Sequence, residues 1–290
     1  MKIGLQIPDF TWPGGPPELA STLATIARTA DSAGFDYLAV MDHFFQIHSV
    51  GPAENDMLEA YTTLGFLAAH TERTKLFTLV TGAIYRYPAM LAKIITTLDV
   101  LSGGRAILGV GAGWNEEESV GLGIPFPPVR ERFELLEEAL QIALQMWSDN
   151  EGPYEGKHNH LGRTLNSPQN LTKPHPPIMI GGGGEKKTLR FVAQYAQYTN
   201  LFGGPELAHK LEVLREHCAA VGRDYNEIEK TVYYIFDVGD NGEKVDETIG
   251  QLKGLAELGV DTAIGAVRDV SKITPLEIIG ERIIPAVAEF

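Results

Sequence analysis

The sequence has a single cysteine, few basic residues and no long apolar run. Cys218 has no partner for an intrachain disulfide, and its place in the helical pattern "LREHCAAVGRD" predicts a small core residue. Lysine and arginine number 24 against 38 aspartates and glutamates, which leaves a net charge of −14, opposite to that of a nucleic-acid-binding surface. No run approaches the ~18 apolar residues of a membrane span, and the N-terminus lacks the apolar stretch of a signal peptide. We therefore expect a cytoplasmic protein that binds neither membrane nor nucleic acid.

Short apolar runs alternate with longer amphipathic stretches along the whole chain. The eight strand–helix pairs are 2–8 with 17–34, 37–42 with 57–70, 75–82 with 88–104, 105–113 with 130–147, 177–181 with 186–196, 198–203 with 205–222, 228–238 with 242–259, and 261–266 with 275–290. Such alternation implies parallel strands joined by right-handed crossovers. Eight units that close on themselves form an α/β TIM barrel, (β/α)8, so we predict one barrel domain over residues 1–290. An open doubly wound sheet is the alternative.

One segment breaks this rhythm. Residues 148–176 are rich in glycine, proline and polar side chains, which predicts an insertion loop between units 4 and 5. In a barrel, the functional loops follow the C-terminal ends of the strands, so the candidate site residues are sought there.

The loop after strand 2 contains Asp42 and His43, in "VMDHFFQIH". An Asp-His pair is costly to bury unless its members are partnered, and histidine changes charge near neutral pH. His43 is therefore a candidate acid–base or positioning residue, oriented by Asp42 or by its backbone. The alternative is that Asp42 caps a helix and His43 is only packed.

The loop after strand 4, "GVGAGWNEEE", is similar to a dinucleotide fingerprint. Its third glycine comes one residue too early, however, and no acidic residue ends the next strand, where the ribose contact is expected. A glycine-lined rim at a barrel strand end fits better, with Gly113, Trp114 and Asn115 available to a ligand. The acidic run "ERFELLEE" that follows is typical of a solvated helix face.

Four consecutive glycines, Gly181 to Gly184, follow strand 5 and lead into a helix. Bare backbone N–H groups at a helix N-terminus favour an anion, and phosphate often lies near the late strands of a barrel. Strand 6 ends in a second glycine pair, and Lys186 and Lys187 add positive charge. The pattern predicts a phosphate cradle; the alternative is that the glycines only permit tight turns.

The motifs "GLQIP", "DHF", "TLDVLSGGRAILGVGAGWNEEE" and "PPIMIGGGGEKKTLR", in this order, resemble the bacterial-luciferase-like superfamily, and within it the coenzyme F420-dependent oxidoreductases. The resemblance spans essentially the whole chain. It implies a deazaflavin or flavin ring across the barrel mouth, a non-proline cis peptide at Thr78–Leu79, and a homodimer formed through helices near strands 2 and 3. The residues it implies are Thr78, Leu79 and Thr81 behind the ring, Gly182, Gly183, Gly184 and Gly203 at its phosphate, and His43 with Asp42 at the reactive carbon.

The resemblance implies an oxidoreductase that transfers hydride between coenzyme F420 and a small organic substrate, without a metal. An FMN-dependent monooxygenase using reduced flavin and oxygen is one alternative, and a non-catalytic flavin- or ligand-binding barrel is another. A phosphosugar isomerase without redox chemistry is a further possibility. Sugar-phosphate dehydrogenases of the superfamily carry a glutamate where this chain has Trp114, so the resemblance does not extend to glucose 6-phosphate as the substrate.

Overall fold

Parallel strands form a nearly closed barrel in the computed structural model, which describes residues 1–290. Neighbouring strands are hydrogen-bonded to each other in the order β3-β2-β1-β11-β10-β9-β8-β5-β4 around the barrel. Their bounds are β1 Lys2–Ile7, β2 Tyr37–Val40, β3 Lys75–Thr78, β4 Thr81–Gly82, β5 Leu108–Gly111, β8 Ile178–Gly181, β9 Tyr198–Phe202, β10 Glu229–Tyr233 and β11 Thr262–Ala266. The predicted parallel (β/α)8 architecture is confirmed, and the open sheet is excluded.

The third barrel strand consists of two segments, which is why nine strands make an eight-fold barrel. β3 pairs with β2 and β4 pairs with β5, while a parallel bridge joins Leu76 to Ala106 and closes the ring. The non-proline cis peptide lies between the segments at Leu79–Val80, so the expected position Thr78–Leu79 is wrong by one residue. A Cβ at Gly109 would stand 1.9 Å from the carbonyl oxygen of Thr78, so β5 passes this break only because residue 109 is glycine.

Helices cover the outside of the barrel. Their bounds are α1 Pro16–Ala33, α2 Ala60–Ala68, α3 Pro88–Leu101, α4 Glu116–Gly121, α5 Val129–Met146, α6 Thr188–Tyr195, α7 Leu207–Val221, α8 Val245–Glu257, α9 Thr274–Ile278 and α10 Ile284–Val287, with a π-helical turn between the last two. Prolines stand in the first turns of α1 and α3, where a missing N–H costs no hydrogen bond. The short helix α4 was not predicted.

The predicted insertion segment contains an antiparallel hairpin of β6 Tyr154–Glu155 and β7 His160–Leu161, followed by irregular chain. The irregular part is fixed to α3 by Asp99, whose carboxylate accepts hydrogen bonds from the backbone N–H groups of Leu171 and Thr172 at 2.7 and 2.9 Å. The segment is therefore held against the outside of the barrel by specific contacts.

Two apolar cores stabilise the molecule. The larger lies between strands and helices and includes Cys218, as predicted. The smaller fills the inside of the barrel, with Phe77, Met179 and Ile264 among its members. This inner layer closes the barrel below the C-terminal strand ends, so a ligand there rests on a packed floor. No helix has the length and apolar character needed to cross a membrane.

Candidate active site

A cavity of about 570 Å³ opens at the C-terminal ends of the strands. This volume is in the range of small-molecule and cofactor sites. The polar and glycine positions of its wall are Gln6, His43, Ser49, Thr81, Gly82, Tyr85, Gly111, Gly113, Arg132, Gly181, Gly182, Gly183, Gly184, Thr188, Asn200 and Tyr233. The site thus gathers loops from strands that lie far apart in the sequence, which is the usual arrangement in a barrel.

His43 and Glu118 form a close buried pair at this cavity. His43 follows β2, and its Nδ1 lies 2.6 Å from Oε1 of Glu118, which is the third residue of α4. The same carboxylate accepts hydrogen bonds from the Tyr85 hydroxyl at 2.6 Å and from the backbone N–H of Phe44 at 2.7 Å. Each oxygen of this fully buried carboxylate therefore has at least one donor.

These donors keep Glu118 ionised. Burial by itself raises the pKa of the carboxyl, but the hydrogen bonds from His43 and Tyr85 outweigh it and hold the pKa of Glu118 below its ordinary value. An ionised carboxylate only accepts hydrogen bonds, so Nδ1 of His43 must carry a proton. The other ring nitrogen, Nε2, is then the atom that can take up or release a proton at the cavity.

Asp42 does not contact its neighbour His43 by a hydrogen bond. Its carboxylate pairs with Arg86 at 2.5 and 3.1 Å and accepts a hydrogen bond from the Thr81 hydroxyl. Arg86 also donates to Glu59, at the N-terminus of α2, at 2.6 Å. The prediction of Asp42 as the partner of His43 is corrected: Glu118 makes that contact, and Asp42 links β2 to the loop after β4.

Trp114 stands at the rim of the cavity. Its ring centroid lies 5.3 Å from that of His43 with an edge-on geometry, and 61% of the residue is exposed. Gly113 lines the cavity with a φ of 81°. Asn115, in contrast, begins α4 as its N-cap and does not line the cavity, so it is not placed at a ligand by the fold.

Of the three residues predicted behind a flat ring, two line the cavity and one does not. Leu79 and Thr81 line the cavity. Thr78 is fully buried behind them, and its hydroxyl donates to the carbonyl oxygen of Gly109 at 3.0 Å. Thr78, predicted with Leu79 and Thr81 behind the ring as a cofactor-binding residue, does not line the cavity, because its side chain joins β3 to β5.

The glycine loop forms the wall at the end of β8. The N–H of Gly182 donates to the carbonyl oxygen of Asn200 at 3.1 Å, while those of Gly183 and Gly184 donate to no protein acceptor. A Cβ at Gly183 would meet nothing closer than Lys210 Cε at 3.8 Å, so an incoming group can reach the backbone there. Gly203 is exposed and lies outside the cavity wall, contrary to its predicted place in the cradle.

Arg132 is a cavity residue that the sequence analysis missed. It lies on α5, and its guanidinium stacks on Phe126 at 4.1 Å and donates through Nη1 to the carbonyl oxygen of Pro127 at 2.7 Å. Its buried Nε has no partner. An unpaired guanidinium N–H in the same cavity as two free glycine amides is suited to an anion. Its position in "ERFELLEE" had indicated only a solvated face.

Comparisons of the sequence and of the fold with known proteins agree on one family. The model of the luciferase-like monooxygenases matches residues 1–271. An uncharacterized protein of Mycobacterium tuberculosis is 32% identical over 70% of this chain and 76% of its own length. The F420-dependent glucose-6-phosphate dehydrogenase of Kineococcus radiotolerans is 33% identical over 72% of this chain and 62% of its own. The crystal structure of a monooxygenase from Streptomyces bottropensis superimposes with a TM-score of 0.80 at 18% identity, covering 98% of this chain and 99% of the other, which supports the fold.

Proposed function

Because the chain belongs to the luciferase-like monooxygenase family, we propose that it is an oxidoreductase that transfers hydride between coenzyme F420 and a small organic substrate. The observation that carries the proposal is the distribution of groups in one cavity: a proton-carrying histidine pair on one wall and unpaired anion-binding N–H groups on another. The F420-dependent relative supports the choice of coenzyme.

The cavity residues fit a phosphorylated ring coenzyme. Gly183 and Gly184 would hold the phosphate through their free N–H groups, with Gly182 shaping the loop and Arg132 adding a positive charge. Leu79, Thr81, Gly113 and Trp114 would bound the ring. When bound, the deazaflavin supplies the hydride chemistry, and the protein supplies binding and orientation.

The protein's own part in the reaction is to hold and move a proton. Glu118 fixes the ring of His43 and keeps the proton on Nδ1, so Nε2 can exchange a proton with the oxygen or nitrogen of a substrate that gains or loses hydride. Tyr85 donates to the same carboxylate, which keeps the pair in place when the imidazole changes charge. Trp114 packs edge-on against His43 at the rim of the cavity, next to the proposed proton-transfer site.

An FMN-dependent monooxygenase is the second candidate. Arg132 beside free glycine amides would suit the phosphate of FMN as well as that of F420, and the family description and the Streptomyces monooxygenase favour this alternative. Both candidates place the ring phosphate at the glycine loop, so they differ in the ring that is bound and in the need for oxygen.

Parallel titrations with F420 and FMN, followed by fluorescence quenching, test the proposal. We expect F420 to bind at micromolar or tighter affinity and at least about tenfold more tightly than FMN, a difference of ~1.4 kcal/mol. Gly183→Val should weaken both coenzymes, because its side chain would fill the approach to the amides. Gly162→Val is the control, since no atom lies within 4 Å of a Cβ there. Equal or tighter binding of FMN would favour the monooxygenase.

A further inference from the structure

Gln6 lines the cavity and has a buried hydrogen-bond acceptor without a partner. The residue lies on β1, is 3% exposed, and donates from Nε2 to the carbonyl oxygen of Leu79 at 3.1 Å. Its Oε1 is buried and accepts no hydrogen bond. If the amide were rotated by 180°, Oε1 would face the carbonyl oxygen of Leu79, and two acceptors would repel each other. Nε2 is therefore the atom that contacts Leu79, and Oε1 is the free atom. A buried acceptor without a donor is uncommon and calls for an explanation such as a ligand.

The position of Gln6 separates it from the proposed phosphate site. β1 and β8 are four strands apart in either direction around the barrel, so Gln6 lies across the barrel from the glycine loop. It pairs in register with Ala39 of β2, the strand that leads to His43. The free acceptor therefore belongs to the side of the cavity where proton transfer is proposed.

The wall contributed by the chain after β2 combines the apolar Met41, Ile47 and Val50 with the polar His43 and Ser49. A ligand without a donor leaves Oε1 of Gln6 unsatisfied, so this atom contributes to the choice of the molecules that bind. A ligand that offers an N–H or O–H group at this point gains a hydrogen bond that water does not compete for.

We propose that Gln6 is a specificity-determining residue, whose Oε1 accepts a hydrogen bond from an N–H or O–H group of the substrate. The substrate class is a small, largely apolar molecule, such as a lactam or a hydroxylated ring, with a donor close to its reacting carbon. This inference rests on the proposed function, since it assigns the opposite side of the cavity to the coenzyme phosphate.

Three small ring compounds test the inference on the unmodified protein. 2-Piperidone carries a carbonyl and an N–H, 1-methyl-2-piperidone lacks the N–H, and cyclohexanone has the same ring size without nitrogen. We expect ligand-observed NMR titrations, run with and without F420, to give at least about tenfold tighter binding of 2-piperidone than of its methylated form. Equal affinities for these two lactams would overturn the proposal.

Substitution of Gln6 gives the second test. Gln6→Met removes the acceptor at similar volume, and we expect the ratio of 2-piperidone to cyclohexanone affinity to fall about tenfold while the cyclohexanone affinity stays constant. Gln169→Met is the control, because it removes a buried, unpaired Oε1 that lies outside the cavity, and its ratio should match wild type.

The donor to Oε1 of Gln6 could come from the substrate or from the coenzyme. Coenzyme titrations of the same proteins distinguish these two sources. If Gln6→Met weakens F420 binding and leaves the lactam ratio unchanged, the acceptor serves the coenzyme and the proposal is wrong. If wild type binds neither F420 nor FMN, the proposed function fails, while the titrations without coenzyme still decide whether Gln6 selects the lactam N–H.

Discussion

At the scale of single residues, the buried carboxylate of Glu118 determines how His43 can act. A histidine at a barrel mouth can rotate and exchange its tautomer unless a neighbour fixes one ring nitrogen. Here Nδ1 of His43 donates a hydrogen bond to Glu118 at 2.6 Å, and the Tyr85 hydroxyl and the backbone N–H of Phe44 donate to the same carboxylate. The imidazole is therefore preorganised before any substrate enters.

Replacing either member of the pair should lower turnover without removing the coenzyme. We expect His43→Ala to reduce hydride transfer at least about a hundredfold, because positioned acid–base groups contribute 10²–10⁴-fold. Glu118→Gln should reduce it less and shift its pH profile, since an amide cannot hold the same tautomer. The measurement is the absorbance of the coenzyme in stopped flow, with coenzyme affinity expected to stay within a few-fold.

Asp42→Asn is the contrasting variant. Because Asp42 pairs with Arg86 rather than with His43, this change should lower stability more than it changes the pH profile. A hundredfold loss of turnover in an Asp42→Asn protein of unchanged stability would contradict this, and would indicate that Asp42 orients His43.

Glu118 should also contribute to the pH dependence of stability. Its folded pKa is lowered, so its contribution is present above the unfolded value of ~4.3 and is lost as the pH falls through the folded pKa. The difference in unfolding free energy between wild type and Glu118→Gln should therefore be larger at pH 7 than at pH 3. Urea denaturation at both pH values measures it, and an unchanged difference would contradict this linkage.

At the scale of elements, regular alternation was predictable and its interruptions were not. Apolar runs such as Tyr37–Val40 and Ile178–Gly181 follow the pattern of buried parallel strands, and each lies within its predicted range. The division of the third barrel strand coincides instead with a close approach of Thr78 to Gly109, which only the tertiary structure reveals.

The same difference explains why two site residues were missed. Glu118 ends a run of three glutamates, which indicates solvent, yet a helical turn points Glu118 inward while Glu116 and Glu117 stay exposed. Arg132 stands in a similar charged run on α5 and turns toward the cavity. In both runs, one charged side chain per helical turn points toward the protein. The sequence reveals which one only if the rotation of the helix about its axis is already known.

The break in the third barrel strand makes Gly109 intolerant of a side chain. We expect Gly109→Ala to destabilise the protein by about 3 kcal/mol, because its Cβ would collide with the Thr78 carbonyl and overpacking against backbone leaves little room to relax. Gly65→Ala in α2 is the control. No atom lies within 4 Å of its Cβ, and alanine should stabilise a helix by up to about 1 kcal/mol. Thermal or urea unfolding of both variants measures the contrast.

At the scale of the whole molecule, the resemblance predicted family and fold, whereas association of two chains stays a prediction. The apolar residues of α2 are already used inside one chain, where Leu64 and Leu67 are fully buried. α3 is different, because Tyr87 at its N-cap, Met90 and Leu101 lie at helical spacing and are 82%, 59% and 75% exposed. We therefore expect a homodimer to form through α3.

Sedimentation velocity tests this expectation. Wild type should sediment as a dimer at micromolar concentration, and Met90→Lys should shift it toward the monomer, because a lysine charge would be buried in the interface. Leu258→Lys is the control, since this exposed residue lies at the C-terminal end of α8 and not on α3. A monomeric wild type, or dissociation by both variants alike, would contradict the prediction.

The exposed position of Trp114 also makes the chain its own optical probe. Of the three tryptophans, Trp147 is buried in the core and Trp12 packs against Phe10 outside the cavity lining, whereas Trp114 stands at the cavity rim against His43. Its indole emission will therefore respond to the polarity and quenching of whatever enters the mouth, and Trp147 supplies a steady background. Ligands that absorb no visible light can then be screened by intrinsic fluorescence alone, with Trp114→Phe as the spectroscopic blank.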